Sequence, residues 1–219
     1  ENELVCILGV SGAGKTTLFN IIAGLLKPDC GNVKMNGEDI TGKSGKISYM
    51  LQKDLLLPHK KIIDNVALPL VIRGENKNKA WEIAKPYFKD FGLEGTENLY
   101  PSKLSGGMKQ RAALLRTYLF SSEVALLDEP FSGLDPVNTE LLKRVILKEK
   151  ERGAIIIFSD HVMTNVEELC DDILMIRDGR VVLHGPVQDV RNQYGKTRLF
   201  VASEKSQEEL ERLPHVRSE

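Results

Sequence analysis

The 219-residue sequence is poor in several features that mark other classes of protein. Its three cysteines are scattered and form no Cys-x-x-Cys pair, so the pattern indicates neither a zinc site nor a disulfide framework. The formal net charge is only −1, which argues against a surface that attracts nucleic acid or an acidic membrane. No apolar run has the length of a membrane-spanning helix, and no segment has the pattern of a signal peptide. These absences favour a soluble intracellular enzyme.

A glycine-rich loop stands between an apolar run at 4–8 and a plausible helix that begins near Thr17. Glycines allow successive backbone N–H groups to turn toward one anion, and a helix start adds unpaired donors and partial positive charge. Lys15 is predicted to reach the β- and γ-phosphates of a nucleotide, and the Thr16 hydroxyl to ligate Mg²⁺. We therefore predict nucleotide binding by Gly9, Val10, Ser11, Gly12, Ala13, Gly14, Lys15, Thr16 and Thr17.

Two carboxylates follow a second apolar run, Val124-Ala125-Leu126-Leu127. Strand ends in an open α/β sheet are where ligands bind. We expect Asp128 to hold Mg²⁺ directly or through its water shell, and Glu129 to orient or deprotonate an attacking water molecule. Without the glycine-rich loop, the same pair would be interpreted as a solvated strand end or a helix cap.

Apolar runs and helical spacings alternate along the chain, which predicts an α/β fold with a mainly parallel sheet. The helical spacing at 77–91 is expected to break at Pro86. Strands are predicted at 32–35, 46–50, 124–127, 154–158, 173–176 and 181–183, and helices at 17–23, 107–119, 139–152 and 162–169. Beyond Gly185-Pro186 we expect a small extension with a helix at 187–194, a strand at 197–201 and a helix at 206–213.

A second glycine motif begins a predicted helix and reads Leu104, Ser105, Gly106, Gly107, Met108. It offers a hydroxyl, backbone donors and a helix dipole to a phosphate. The motif resembles the LSGGQ signature of the ATP-binding cassette (ABC) family, with Met108 in place of the glutamine. Over nearly the whole chain the family's motifs occur in the family's order: the glycine-rich loop, Gln52, the signature, 124–129, Ser132-Gly133-Leu134-Asp135 and His161.

The resemblance implies an architecture and a domain division. The fold would be a P-loop NTPase core with a helical signature subdomain at about 62–115 and an antiparallel subdomain that is incomplete at the N-terminus. Residues 1–185 would form the nucleotide-binding domain and 186–219 a small C-terminal extension. Because the sequence begins inside the phosphate-binding strand, we expect an upstream segment that carries an aromatic residue stacked on adenine.

The resemblance also implies roles for single residues. Cassettes of this family pair head to tail, so the signature would act in trans on ATP held by a second cassette. Asp135 resembles the aspartate at the dimer interface, His161 the histidine that contacts the γ-phosphate, and Gln52 the glutamine that touches Mg²⁺ or water. The implied catalytic set is Glu129, His161 and Gln52, the implied metal ligands are Thr16, Gln52 and Asp128, and the cofactors are ATP and Mg²⁺.

The implied function is ATP hydrolysis that powers transport of a small solute through a separate membrane subunit. The partners would be a second nucleotide-binding domain and a membrane-spanning permease, with a substrate-binding protein left open, no nucleic acid, and a peripheral location at the cytoplasmic face of the membrane. The N-terminal two-thirds resembles importers of nitrate, sulfonate, taurine or thiamine precursors, on the stretches at 55–59, 62–70 and 110–117. The sequence from about Asp160 instead resembles sodium or drug exporters. A repair or translation ATPase and a regulatory ATP-dependent dimerisation module remain as alternatives.

Overall fold

The computed structural model describes residues 3–120 and 122–194, and within them the elements are numbered in chain order. The strands are β1 (Leu4–Leu8), β2 (Lys34–Met35), β3 (Glu38–Asp39), β4 (Ser48–Met50), β5 (Val124–Asp128), β6 (Ile155–Ser159), β7 (Asp172–Arg177) and β8 (Arg180–Pro186). The helices are α1 (Lys15–Ile22), α2 (Ile62–Val66), α3 (Leu68–Ile72), α4 (Lys77–Asp90), α5 (Gly106–Phe120), α6 (Pro136–Glu151), α7 (Met163–Leu169) and α8 (Val187–Tyr194). None of these described helices has both the length and the apolar character needed to cross a lipid bilayer.

Six of the described strands form one sheet in the spatial order β4-β5-β6-β1-β7-β8. The first five run parallel, and β8 pairs antiparallel with β7. Side chains on both faces of β1, β5 and β6 are largely buried, which accounts for the near-continuous apolar sequence of these strands. The predicted α/β fold with a mainly parallel sheet is confirmed.

The register of the central strands brings three loops to one edge of the sheet. Ser159 at the end of β6 pairs with Asp128 at the end of β5 and with Ile7 near the end of β1. The segments that follow these strands therefore begin side by side, at the edge where open α/β sheets bind ligands. The glycine-rich loop, the Asp128–Glu129 pair and the segment containing His161 all start there.

Two smaller parts complete the described fold. Helices α2, α3, α4 and α5 lie between β4 and β5 in the chain and pack against one another. Strands β2 and β3 form a separate antiparallel hairpin whose turn, Asn36-Gly37, has φ values of 50° and 81°. Positive φ at both turn residues matches the twist of a two-residue hairpin, which explains this residue pair. The predicted incompleteness of the antiparallel part concerns residues upstream of Glu1 and stays a prediction.

Several predicted boundaries differ from the structure. The break expected at Pro86 is wrong, because α4 continues through Pro86 to Asp90. Fully buried Ala80, Ala84 and Phe88 line one face of this helix, and their packing offsets the hydrogen bond that the proline cannot donate. Helix α6 begins three residues earlier than predicted, because Asp135 caps it. The strand predicted at 32–35 pairs only over Lys34–Met35.

The chain divides into a unit of residues 1–187 and a second unit of residues 188–219. Within the second unit the structure describes only the remainder of α8, which ends at Tyr194. The strand predicted at 197–201 and the helix predicted at 206–213 lie outside the described residues. The extension proposed at 186–219 therefore stays a prediction.

Candidate functional site

The glycine-rich loop connects β1 to α1 and curls over the start of the helix. Gly12 and Gly14 have φ values of +82° and +100°, a backbone region that residues with a Cβ rarely adopt. The Lys15 side chain is buried and folds back on the loop, and its ammonium donates hydrogen bonds to the carbonyl oxygens of Gly9 at 2.7 Å and Val10 at 3.2 Å. The cation is thus held at the centre of the loop, next to the N-terminus of α1.

Gly9 is needed for a different reason from the other loop glycines. A Cβ at this position would lie 2.6 Å from the carbonyl oxygen of Ile176 on β7, too close for any side chain. The close approach of Gly9 to β7 therefore fixes where the loop leaves the sheet. By contrast, a Cβ at Gly12 or Gly14 would meet nothing within 4 Å, so the outer side of the loop is open.

Thr16 and Asp128 form a pair of oxygen ligands between α1 and β5. The Thr16 hydroxyl donates to Asp128 Oδ2 at 2.8 Å, and the Asp128 carboxylate is 2% exposed. Mg²⁺ prefers oxygen donors and takes only one or two protein ligands beside water and phosphate oxygens. The pair therefore fits Mg²⁺. Elsewhere among the described residues there is no cluster of three His, Cys, Asp or Glu side chains that could hold a metal ion.

Ser159, which the sequence did not single out, holds both acidic residues in place. Its fully buried hydroxyl donates to Asp128 Oδ1 at 2.7 Å and accepts a hydrogen bond from the Glu129 N–H at 2.9 Å. Glu129 itself has a φ of 49°, in the left-handed region that is unfavourable for a residue with a side chain. The Ser159 contact thus stabilises a strained turn that sends the two carboxylates in different directions.

Gln52 and Glu129 are joined directly. The Gln52 side-chain amide donates to Glu129 Oε2 at 2.9 Å, across the gap between the end of β4 and the end of β5. The sequence predicts a catalytic role for both side chains, and the structure brings them together. The metal role predicted for Gln52 would require this amide to turn toward the Thr16–Asp128 pair.

His161 and Asp160 follow β6 at the same edge of the sheet. The His161 side chain is 67% exposed, with Nδ1 3.9 Å from Asp160 Oδ1. Asp160, for which the sequence suggested no role, is buried and accepts hydrogen bonds from the backbone N–H groups of His161 at 2.7 Å and Val162 at 3.0 Å and from the Asn165 side chain at 2.8 Å. It anchors the turn that presents His161. A cavity of about 470 Å³ adjoins both His161 and Glu129.

The signature begins α5 and faces outward. Ser105 and Gly106 are exposed, while Leu104 is buried and anchors the turn. The Ser105 hydroxyl accepts a hydrogen bond from the Met108 N–H at 3.3 Å, as a helix cap does. A Cβ at Gly107 would lie 3.3 Å from the Asn138 side chain, so the signature packs close to the start of α6.

Asp135 caps α6 beside the signature. Its Oδ1 accepts a hydrogen bond from the Asn138 N–H at 2.9 Å, and the side-chain amide of Asn138 bonds its other oxygen. These two bonds, the backbone one first, lower the pKa of Asp135 below its ordinary value. Its exposed carboxylate therefore stays ionised at the surface, and Asn138 lies between it and Gly107 of the signature.

Comparisons with known proteins identify the family. Residues 1–132 match the family model described as ABC transporter. The chain belongs to the ABC transporter family. This ABC ATPase is 46% identical over 189 residues to the formylaminopyrimidine import ATP-binding protein ThiZ of Halalkalibacterium halodurans, over 84% of this chain and 72% of the relative. It is 39% identical to the thiamine import ATP-binding protein ThiQ of a Jannaschia species, over 84% and 82% of the two chains.

A solved structure supports the same assignment for the ABC ATPase. The dimeric structure of a post-hydrolysis state of an ATP-binding cassette bound to ADP and Pi matches 85% of this chain and 86% of its own length, with a TM-score of 0.79 and 28% identity. The predicted family, fold and activity are thereby confirmed: the chain is an ATP-binding, ATP-hydrolysing subunit of an ABC transporter. The roles assigned to single residues stay predictions.

Proposed function

We propose that this ABC ATPase hydrolyses MgATP in a head-to-tail dimer and powers import of a small solute through a separate permease. The contact between Gln52 and Glu129 at the edge that also carries Lys15 and the Thr16–Asp128 pair is the observation on which the proposal depends. Import is favoured over export because the curated relatives with the highest identity given above are named as import subunits.

Nucleotide binding is assigned to the glycine-rich loop and the start of α1. The β- and γ-phosphates would take the Lys15 ammonium away from the carbonyl oxygens of Gly9 and Val10, so the lysine exchanges two internal hydrogen bonds for charge-assisted ones. Thr16 and Asp128 would hold Mg²⁺, which supplies positive charge to the phosphate oxygens. Val10, Ser11 and Gly12 are exposed and available to the nucleotide.

Hydrolysis is assigned to Glu129, with Gln52 and His161 in support. A carboxylate that accepts a hydrogen bond from Gln52 is held in one orientation, from which it can orient a water molecule and take its proton. His161 would contact the γ-phosphate from the turn that Asp160 fixes. In-line attack then needs little covalent chemistry from the protein, because positioning and charge stabilisation dominate phosphoryl transfer.

Dimerisation is assigned to the exposed face that carries Ser105, Gly106 and Asp135. A single chain presents this phosphate-facing helix start to solvent, and the related solved cassette is itself dimeric. In a head-to-tail pair, the signature of each chain would approach the nucleotide held by the other. Each chain would then contribute half of two sites.

The permease is proposed to meet the surface beside Gln52, at the cytoplasmic face of the membrane. Leu25, Leu26, Leu55 and Ile72 are exposed by 59%, 46%, 52% and 75%. Two of them, Leu25 and Ile72, line a cavity of about 320 Å³ between the end of α1 and the helices α3 and α5. A substrate-binding protein would meet the permease rather than this chain, so co-purification of the intact transporter tests both partners together.

Lys15→Ala tests nucleotide binding, with Lys34→Ala as the matched control because Lys34 is an exposed lysine on β2. We expect MgATP affinity, measured by titration calorimetry, to fall about 10- to 100-fold in Lys15→Ala, since hydrogen bonds to charged groups contribute about 1.5–3 kcal/mol. The control should bind as the wild type does. Equal affinity in both variants would remove Lys15 from the site.

Glu129→Gln tests the catalytic step and the dimer. The amide keeps the shape of the carboxylate but cannot take a proton, so ATP should bind without turnover and a dimer should accumulate in size-exclusion chromatography with MgATP. Adding Ser105→Arg should prevent that dimer, because a bulky cation would occupy the phosphate-facing helix start. Wild-type turnover in Glu129→Gln would contradict the assignment, and a persistent dimer in the double variant would contradict the role of the signature.

A further inference from the structure

A guanidinium group ties the signature helix to the segment that follows Gln52. Arg116 lies on α5, and its Nη1 donates to the carbonyl oxygen of Leu55 while its Nη2 donates to that of Asp54, both at 3.0 Å. The planar fork of an arginine fits two neighbouring carbonyl oxygens at once, whereas a lysine ammonium cannot reproduce this geometry. The contact joins two parts of the chain that are about 60 residues apart in sequence.

The segment that Arg116 contacts is tightly shaped. Leu55 has a φ of 43°, and the Asp54 side chain accepts a hydrogen bond from the Leu56 N–H at 3.0 Å, which closes a sharp turn. Fully buried Asn65 holds the far side of the segment, since it accepts from the Leu57 N–H at 2.6 Å and donates to the Leu57 carbonyl at 3.1 Å. The segment from Gln52 to Leu57 is therefore held at three points: Gln52 bonds to Glu129, the Asp54 and Leu55 carbonyls bond to Arg116, and Leu57 bonds to Asn65.

Packing alone does not explain an arginine at this position. Burial lowers the pKa of Arg116, which means that the surroundings disfavour its charge. A long apolar side chain would fill the same space without losing hydration. What the guanidinium adds is the pair of directional hydrogen bonds to Asp54 and Leu55.

Helix α5 connects Arg116 directly to the signature. Ser105 lies eleven residues before Arg116, about 16 Å along the helix at 1.5 Å per residue. Helix α5 is 15 residues long and covers this distance without interruption. A shift of the turn at Asp54–Leu55 is thus transmitted to the phosphate-facing end of α5.

We propose that Arg116 is a positioning residue that couples the placement of Gln52 beside Glu129 to the placement of the signature. The inference rests on the proposed function, because it assigns Gln52 and the signature to the same hydrolysis cycle. Both hydrogen bonds of Arg116 go to backbone carbonyl oxygens and neither goes to a side chain of the proposed hydrolysis site. It acts through Gln52, because it fixes the segment that follows Gln52 against α5.

Three variants separate coupling from packing. Arg116→Met keeps the stem and removes the fork, and Arg116→Lys keeps the charge and removes the fork. Arg73→Met is the matched control. The Arg73 guanidinium lies 4.4 Å from the centre of the Phe120 ring at the end of α5, and it is not hydrogen-bonded to residues 52–57. Steady-state ATPase assays of the full chain should show kcat lowered about 10- to 100-fold in Arg116→Met, with KM within about twofold. Arg116→Lys should recover part of the loss, and Arg73→Met should keep wild-type kcat.

A double-mutant cycle with Gln52→Ala decides whether Arg116 acts through Gln52. If it does, Arg116→Met has no further effect on kcat once Gln52 is alanine. Losses that multiply would overturn the proposal, as would wild-type kcat in Arg116→Met.

Hydrogen exchange gives a readout that does not need turnover. The amides of residues 55–57 should exchange faster in Arg116→Met than in the wild type or Arg73→Met, and equal exchange in all three would refute the anchoring contact. A wild-type chain that hydrolyses no ATP would contradict the proposed function, while the exchange result would still decide the contact.

Discussion

Ser159→Ala is the substitution that best tests how the two acidic residues are held. The Ser159 hydroxyl is fully buried, donates to Asp128 Oδ1 and accepts from the Glu129 N–H. Alanine removes both hydrogen bonds without adding volume. We expect kcat for ATP hydrolysis to fall while the affinity for MgATP changes little, because neither hydrogen bond of this hydroxyl involves the glycine-rich loop.

The expected loss of stability depends on the two groups that lose a hydrogen bond to Ser159, the Asp128 carboxylate and the Glu129 N–H. Asp128 keeps its bond from Thr16 at 2.8 Å, whereas the Glu129 N–H loses the partner it has in the structure. A buried polar group without a partner costs about 1–3 kcal/mol, and the lost hydrogen bond to Asp128 costs about 1 kcal/mol more, so the free energy of unfolding should fall by about 2–4 kcal/mol. Glu129 is also free to leave its left-handed backbone conformation, which is unfavourable by about 1–3 kcal/mol. A displacement of about 1 Å at a catalytic group lowers kcat up to about 100-fold.

Ser48→Ala is the matched control for this experiment. Ser48 is a buried serine on β4, and its hydroxyl lies 2.6 Å from that of Ser122, away from the acidic pair. Urea unfolding and steady-state ATPase assays on both variants should show a loss of stability in each and a loss of kcat only in Ser159→Ala. A Ser159→Ala variant that is destabilised but keeps wild-type kcat would refute the positioning argument.

Three further predictions concern parts of the chain outside the acidic pair. Burial raises the pKa of Glu149 to about 7 from about 4.5, so between pH 5 and 7 the native state retains a proton that the unfolded state releases, and the free energy of unfolding should fall as the pH rises. Glu149→Gln should reduce this fall by about 1 kcal/mol in urea unfolding. An unchanged pH dependence in the variant would contradict the prediction. Gly9→Ala should cost about 1–3 kcal/mol of stability and weaken ATP binding, because its Cβ would meet the Ile176 carbonyl oxygen; a wild-type melting temperature would show that the loop can shift. Cys30 is exposed and should react rapidly with a thiol reagent, whereas buried Cys6, whose pKa is raised first by its hydrogen bond to Cys170, should react only on unfolding.

The site residues that could be predicted are those whose function depends on their immediate neighbours in the sequence. Gly12, Gly14 and Lys15 are constrained by the turn and the charge that a phosphate requires, and these demands act over a few residues. Asp128 and Glu129 follow an apolar strand for an equally local reason. Gln52 and His161 could be found only through their place in an ordered series of motifs.

The residues that escaped prediction act through contacts that the sequence does not display. Ser159 is 31 residues from Asp128 in the chain and meets it only because β5 and β6 are neighbours in the sheet. Arg116 resembles any other helix surface arginine until the segment at Asp54–Leu55 is seen against it. Asp160 does carry a weak local signal, since an aspartate readily accepts a hydrogen bond from the backbone N–H two residues further on, as it does here from Val162. The helix break predicted at Pro86 is wrong because burial of one face of α4 stabilises the helix by more than the missing hydrogen bond destabilises it.

The order of the strands explains why these long-range contacts concentrate at the site. Strands β5, β6 and β1 are neighbours in the sheet although residues 9–123 separate β1 from β5 in sequence. Parallel pairing aligns their carboxyl ends, so each loop that leaves the sheet there finds polar groups from the next strand within reach. Ser159 bonding to Asp128, and Thr16 bonding to the same carboxylate, are consequences of this alignment. A substitution that shifted the register of β6 by one residue would turn Ser159 to the other face of the sheet and separate the acidic pair from its support.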